Sequence, residues 1–228
     1  INADASATRA LHVDDETGAI TDCKNLVISL TDIERKNPIN MIEKITNCLI
    51  HLMRFGEIKD SHTYLYISDG LSLATYNKNN GSLKRKHLHL EEGIVQYFTI
   101  RFLENLADFV ETEDVDDNYY LSEFKHNFDE YSFSNYSVQT SIIEMLCEDR
   151  QFKELLLLSF TEATTPSSLS VYFNAIMKNS TAFTLFSKQI DNCYNAIFSG
   201  DEVAAKDGID IIKRIIQQFQ VNAKRYVK

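Results

Sequence analysis

The sequence predicts a mostly helical α+β protein, with a small antiparallel β-meander in the N-terminal half and a bundle-like helical C-terminal half. Three observations carry this. Only seven glycines and two prolines occur in 228 residues, too few for the many tight turns of an all-β chain. Apolar residues recur at spacings of three and four over most of the second half, the period of one helix face. Between 62 and 90 that rhythm gives way to aromatic and branched residues around two turn dipeptides, Asp69-Gly70 and Asn80-Gly81. With 44% hydrophobic residues the chain has ample core-forming content, and disorder is excluded.

Residues 6–30 admit two readings. The acidic, Gly-terminated turn Asp14–Gly18 between short apolar runs suits a hairpin, whereas Leu26, Val27, Leu30 and Ile33 could form one helix face. Asn37-Pro38 is clearer. Asn caps a helix and Pro at the first position lacks only an N–H that would be unpaired anyway. Ile42, Ile45, Leu49 and Leu52 then form a stripe, and Gly56 stands as the C-terminal cap, giving a helix over 38–55. Three strands are expected between 62 and 90, the last carrying Lys84-Arg85-Lys86 and then His87 and His89 alternating with Leu88 and Leu90. Helical spacing returns at 94–110, followed by an acidic loop at 111–118.

Beyond the loop, Tyr120, Phe124, Phe128 and Tyr131 share a helix face. Val138–Phe160 reads as helix with a break near 147–151, and Thr165-Pro166 opens the next. Ser180 or Thr181 caps a helix that Gly200 closes, and Asp201 opens the last one, with Ile212, Ile215, Ile216 and Phe219 on its apolar side. These assignments divide the chain into a mixed region, 1–118, and a helical region, 119–228, which could together form one compact domain.

Charge is unevenly distributed. The chain carries −10 overall, residues 138–228 are neutral, and 104–130 alone hold ten acidic side chains against Lys125. This balance and a pI near 5.1 argue against a general phosphate-backbone binder, which needs a dense cationic face. A local basic patch remains compatible with it, and Lys84, Arg85 and Lys86 beside Tyr64, Tyr66 and Tyr76 are its one candidate. The competing reading is that cations on an edge strand discourage edge-to-edge pairing.

Sites of chemistry are sparse. His87 and His89, two apart on a strand, would point one way and could share an ion with Glu91 or Glu92, helped by His51, His62 or His126. Two histidines alone do not make a site, and no metal and no cofactor is expected. The run Glu111–Asn118 lacks the Gly and Glu that a calcium loop of the EF-hand type needs. There is no GxSxG, HExxH or Gly-rich phosphate loop, and Ser199-Gly200-Asp201 reads as a helix end and a new cap. No catalytic residue is assigned, and catalysis is disfavoured.

The four cysteines, Cys23, Cys48, Cys147 and Cys193, form no CxxC pair and are expected as free thiols, in line with an intracellular, reducing location. No signal-like or membrane-spanning apolar segment is present, so a soluble protein is expected. The sequence therefore points by elimination to a non-catalytic protein-interaction or scaffolding module. Its contact residues would be Glu113, Asp114, Asp116, Asp117, Tyr119 and Tyr120, facing a basic protein partner, together with Lys84, Arg85 and Lys86. The alternative is an enzyme or a nucleic-acid-associated factor whose site is assembled from residues distant in sequence.

Overall fold

The computed structural model describes residues 6–13, 20–29, 37–115, 117–130, 137–159 and 165–226. It is the mostly helical α+β protein expected. Its contacts divide into two compact units, Ile1–Met53 with Val95–Asn135, and Arg54–Ile94 with Tyr136–Lys228.

In the first unit, β1 (Ser6–Val13) and β2 (Ile20–Ser29) form an antiparallel pair, with irregularities at Ala10/Leu11 and His12/Val13. Of the two readings of 6–30, the backbone is the hairpin; its acidic turn at 14–18 lies outside the described residues. Helix α1 (Pro38–Arg54) starts where Asn37 caps it, the Asn37 side chain accepting from Asn40 N–H at 3.2 Å. Its buried face differs from the expected stripe. Ile39, Glu43, Thr46 and Ile50 are buried, while Leu49 is exposed. Hydrogen bonds explain why polar groups occupy that face. Helix α2 (Leu88–Thr112) contributes Gln96, which donates to Glu43 at 3.1 Å, and Asn47 donates to Gln96 at 3.1 Å and to Thr99 at 3.5 Å. A buried polar group is tolerated where its partners are fixed. Ile39, Leu103, Val110, Val115 and Phe124 make the apolar core of this unit, the last from α3 (Tyr119–Asn127).

The second unit holds a four-stranded antiparallel meander. Its strands, in the order β3 (Phe55–Asp60), β4 (Tyr64–Asp69), β5 (Ser72–Asn77) and β6 (Leu83–Lys86), pair sequentially. The expected meander of three strands over 62–90 is thus corrected at both ends. At the first end β3 follows α1 directly, so Gly56 lies in a strand and is not a helix cap. The last carbonyl of α1, on Arg54, is instead satisfied by the Gly70 N–H at 2.7 Å. Gly70, in the β4–β5 turn, has φ of 54°, a region L-residues seldom enter. At the other end, His87 takes φ of 58° and breaks the extended run, so that Leu88–Leu90 begin α2 and are not strand.

The rest of this unit is α4 (Ser137–Cys147), α5 (Arg150–Leu158), α6 (Thr165–Met177), α7 (Ala182–Ser199) and α8 (Glu202–Tyr226). The break expected near 147–151 is occupied by Asp149, whose carboxylate caps α5 by accepting from Phe152 N–H at 2.8 Å. Gly200 ends α7 in the left-handed region, and Asp201 accepts from Ala204 N–H at 3.0 Å to open α8. Apolar spacing produces an aromatic core. Phe173 stacks on Phe219 at 4.8 Å and on Phe186 at 5.1 Å, and Phe152 meets Phe219 edge-on at 6.0 Å. Gly208 permits the close crossing of α8 on α7, since a Cβ there would stand 3.0 Å from Cys193 Cβ. On α8, Ile212, Ile216 and Phe219 are buried, whereas Ile215 is only half-buried.

Two predictions follow from this packing. Replacing Ile216 by Ala should destabilise the chain by about 2–5 kcal/mol in urea unfolding, as other buried large-to-small changes do, while Lys213→Ala on the exposed side should cost less than about 0.5 kcal/mol. Glu91 lies against Arg54 with both side chains solvent-excluded (1% and 0% exposed). Glu91→Ala, which strands a buried guanidinium, should cost about 3–5 kcal/mol by the same measurement.

Candidate functional site

Three titratable groups whose pKa values burial shifts, His87, His89 and Asp191, lie together in the second unit, where the start of α2 meets α7. His87 Nδ1 and Ser187 Oγ share a hydrogen bond of 2.6 Å. The His89 backbone N–H donates to Asp191 Oδ1 at 3.4 Å, and the His89 ring stacks on Tyr194 at 4.3 Å. The His87 ring also lies 5.9 Å from that of Phe183. Ser187 and Asp191 are one turn apart on α7, which is why both reach the same short segment.

Burial holds both imidazoles below their ordinary value; the Asp191 carboxylate opposes this, and Lys86 adds to it at His87. Burial likewise pushes the Asp191 carboxyl up, opposed by the His89 N–H and by both imidazoles. A serine, histidine and aspartate together invite a catalytic reading, but Ser187 is fully buried, at 0% exposure. A nucleophile must reach a substrate, and among the described residues this buried hydroxyl is bonded to His87. The cluster is a clamp that seats the first turn of α2.

The same geometry alters the His-x-His spacing expected on a strand. His87 precedes the helix and His89 lies within it, so the two do not project from one strand face. Glu91 is engaged by Arg54, and among the described residues no group of three or more His, Cys, Asp or Glu is disposed to hold a metal ion. Two clefts line α8, one with Ile197, Asp201, Lys206 and Asp210, the other with Val138, Ile142, Met145 and Ile212. Neither contains a histidine, and both are open. Cys48, Cys147 and Cys193 form no disulfide among the described residues; the Cys23 side chain lies outside the described residues. No described helix is long and apolar enough to cross a membrane.

The acidic segment is a more accessible feature. Helix α2 runs on through Glu111 and Thr112, so the loop proper is 113–118, shorter at its start than expected. Glu111, Glu113, Asp114 and Asp117 are exposed; Asp116 lies outside the described residues. Val115 between them is buried in the core of its unit. Asn118 donates its N–H to the Val115 carbonyl at 2.9 Å, and its side chain accepts from Tyr120 and Leu121 N–H at 3.1 and 3.2 Å. Lys125 reaches back to the Glu113 carbonyl at 3.5 Å. Tyr119 and Tyr120 follow at 62% and 44% exposure, their rings edge-to-face at 5.4 Å. Of the aromatic face expected to continue from Tyr120, Phe124 is fully buried and pairs with Phe128 at 4.9 Å, while Tyr131 lies outside the described residues.

The remaining predicted site residues, Lys84, Arg85 and Lys86, are all exposed on β6, an edge strand bonded only to β5. They belong to the other unit from the acidic loop. Sequence reasoning did not find the Ser187–His87 clamp, because no local signature links positions 100 residues apart. Compared with known proteins, the chain matches no family model, no curated protein and no solved structure.

The clamp generates a pH prediction. The unfolded chain has imidazoles at their ordinary value of 6.5, above the folded values. The unfolded state therefore binds more protons just below 6.5, so stability is whole above that pH and is lost as pH falls towards the folded values. The raised Asp191 carboxyl works the other way, its penalty being relieved as pH falls through its folded value towards 3.8. On acidification from pH 7.5 the melting temperature should first fall, and in His89→Phe, which keeps a ring against Tyr194, the fall should be shallower. Scanning fluorimetry across pH 5–7.5 measures both.

Proposed function

We propose that the protein is a non-catalytic binding module that engages another protein through the segment 111–120. The observation that carries this reading is the pairing of Tyr119 and Tyr120, exposed and packed on each other, with four exposed carboxylates on a backbone tied down at Val115 and Asn118. Exposed tyrosines supply large contact area at low entropic cost and are enriched where proteins meet. The carboxylates set the sign of the partner. A basic protein surface would be steered by them and could place Lys or Arg side chains over the tyrosine rings. Anchoring matters because a surface already ordered loses less freedom on binding.

The roles separate cleanly in kinetics. Rim charges act chiefly on association, and buried aromatic anchors on dissociation. Capture of partners from a lysate by the intact immobilised chain should retain a set rich in basic proteins that 0.5 M salt elutes. With such a partner in hand, the combined Glu113→Gln, Asp114→Asn and Asp117→Asn variant should associate about tenfold more slowly at low salt and lose its salt dependence. Tyr119→Ala with Tyr120→Ala should chiefly speed dissociation. Association that is equally fast in the neutralised variant and unaffected by salt would count against the reading.

A further inference from the structure

The function proposed above leaves the basic triplet unused, and the sheet register shows what surrounds it. Cross-strand partners put side chains on the same face of a sheet. Lys59 pairs with Tyr66, Tyr66 with Thr75, and Thr75 with Lys84, so a row of lysine, tyrosine, threonine and lysine crosses all four strands. In the neighbouring rows of that face stand Tyr64, opposite Asn77, and Lys86, opposite Leu73. Tyr64 and Tyr66 are 37% and 36% exposed, with ring centroids 6.0 Å apart and planes tilted by 41°. Lys84 and Lys86 are exposed and form no ion pair among the described residues. Residues 55–86, the whole sheet, hold five basic and three acidic side chains, net +2 in a chain of −10. One of the three acids, Asp60, is paired with Lys78.

We propose that this face binds single-stranded nucleic acid, with bases stacking on Tyr64 and Tyr66 and phosphates meeting Lys84 and Lys86. Aromatic rings beside a cationic track are what a single strand needs, since every base presents a π-face and every link a negative charge. Guarding an edge strand accounts for the cations on β6 but leaves the two tyrosines on β4 unexplained. An acidic peptide would satisfy the lysines and gain little from paired ring faces. The chain's net negative charge does not forbid contact, because at physiological ionic strength fields decay over about 8 Å and the local face decides.

The test is fluorescence anisotropy of the intact chain with a labelled oligouridylate 12-mer, and separately with labelled poly-glutamate, across 50–200 mM salt. Oligouridylate should bind with affinity falling as salt rises. Tyr66→Ala and Tyr64→Ala should each weaken it about tenfold, the range of a lost stacking contact, while Tyr66→Phe should retain binding. Lys84→Gln with Lys86→Gln should lower the salt slope by about 1.4, at roughly 0.7 per phosphate on a single strand. All four positions are exposed, and circular dichroism verifies that each variant is folded. The proposal is overturned if oligouridylate does not bind, if folded Tyr→Ala variants bind as well as the parent, or if poly-glutamate binds equally and competes it off.

Discussion

The second unit is organised around one carboxylate. Glu91 accepts from Arg54 through both of its oxygens, in the fork-to-fork arrangement that makes Arg–carboxylate pairs directional. Its Oε2 also accepts from the Leu71 N–H at 2.8 Å, just past the β4–β5 turn. A side chain at position 70 would overlap the carboxylate, so glycine is required there by space as well as by φ. Arg54 adds a hydrogen bond of 2.6 Å to Ser159, the residue that ends α5. The hairpin turn, the first turn of α2 and the end of α5 therefore all answer to a single charge pair. Such a pair contributes little net energy, because desolvating both ions offsets their attraction. What it supplies is uniqueness: every competing arrangement that separates these groups leaves a buried charge uncompensated.

Similar logic, carried by side-chain hydrogen bonds, runs through the first unit. Glu43, Gln96, Asn47 and Thr99 occupy a helix–helix seam where the apolar spacing of α1 would have put isoleucine and leucine. A hydrogen-bonded seam fixes register along a helix pair more strictly than interchangeable aliphatics do, since a shift leaves several polar groups unpaired at once. The aromatic stack of the second unit does the opposite work. Phe152, Phe173, Phe186 and Phe219 supply large non-directional burial, with ring offsets that refine the fit. Packing density comes from the rings and specificity from the polar pairs.

How much of this could be read from the sequence depends on the range of the determining interaction. Turns and caps were legible because their chemistry is local: Asn37 at a helix start, Asp69-Gly70 and Asn80-Gly81 in hairpin turns, Gly200 and Asp201 between two helices. Errors arose where a distant partner decided. Gly56 resembled a helix cap, but the α1 terminus is capped by Gly70 from the following hairpin. His87-Leu88-His89-Leu90 alternates like a strand, yet the clamp to Ser187 and Asp191, about 100 residues on, holds the segment as a helix start. The α1 stripe was misassigned because burial of Glu43 makes sense only with Gln96, 53 positions away. The exposed residues of the acidic loop and of β6 were legible as charged and aromatic runs. Their anchoring was not, since it rests on Val115 reaching a core whose other members come from α1, α2 and α3.

Ionisable groups in this protein accordingly fall into two classes with different physics. Those in the interior, Arg54 and Glu91, are engaged with each other and set which structure forms, and the half-buried His87 is held by Ser187. Those outside, the exposed carboxylates Glu111, Glu113, Asp114 and Asp117 and the lysines of β6, contribute little to folding, because solvent screens exposed charges. Net charge hides this, since −10 is the sum of an acidic segment at −9 over 104–130 and a sheet at +2 over 55–86, set among other charges. With a screening length of about 8 Å, a ligand responds chiefly to the charges within that distance of it. One acidic chain thus presents surfaces of opposite local sign, each with exposed tyrosines set beside the charge.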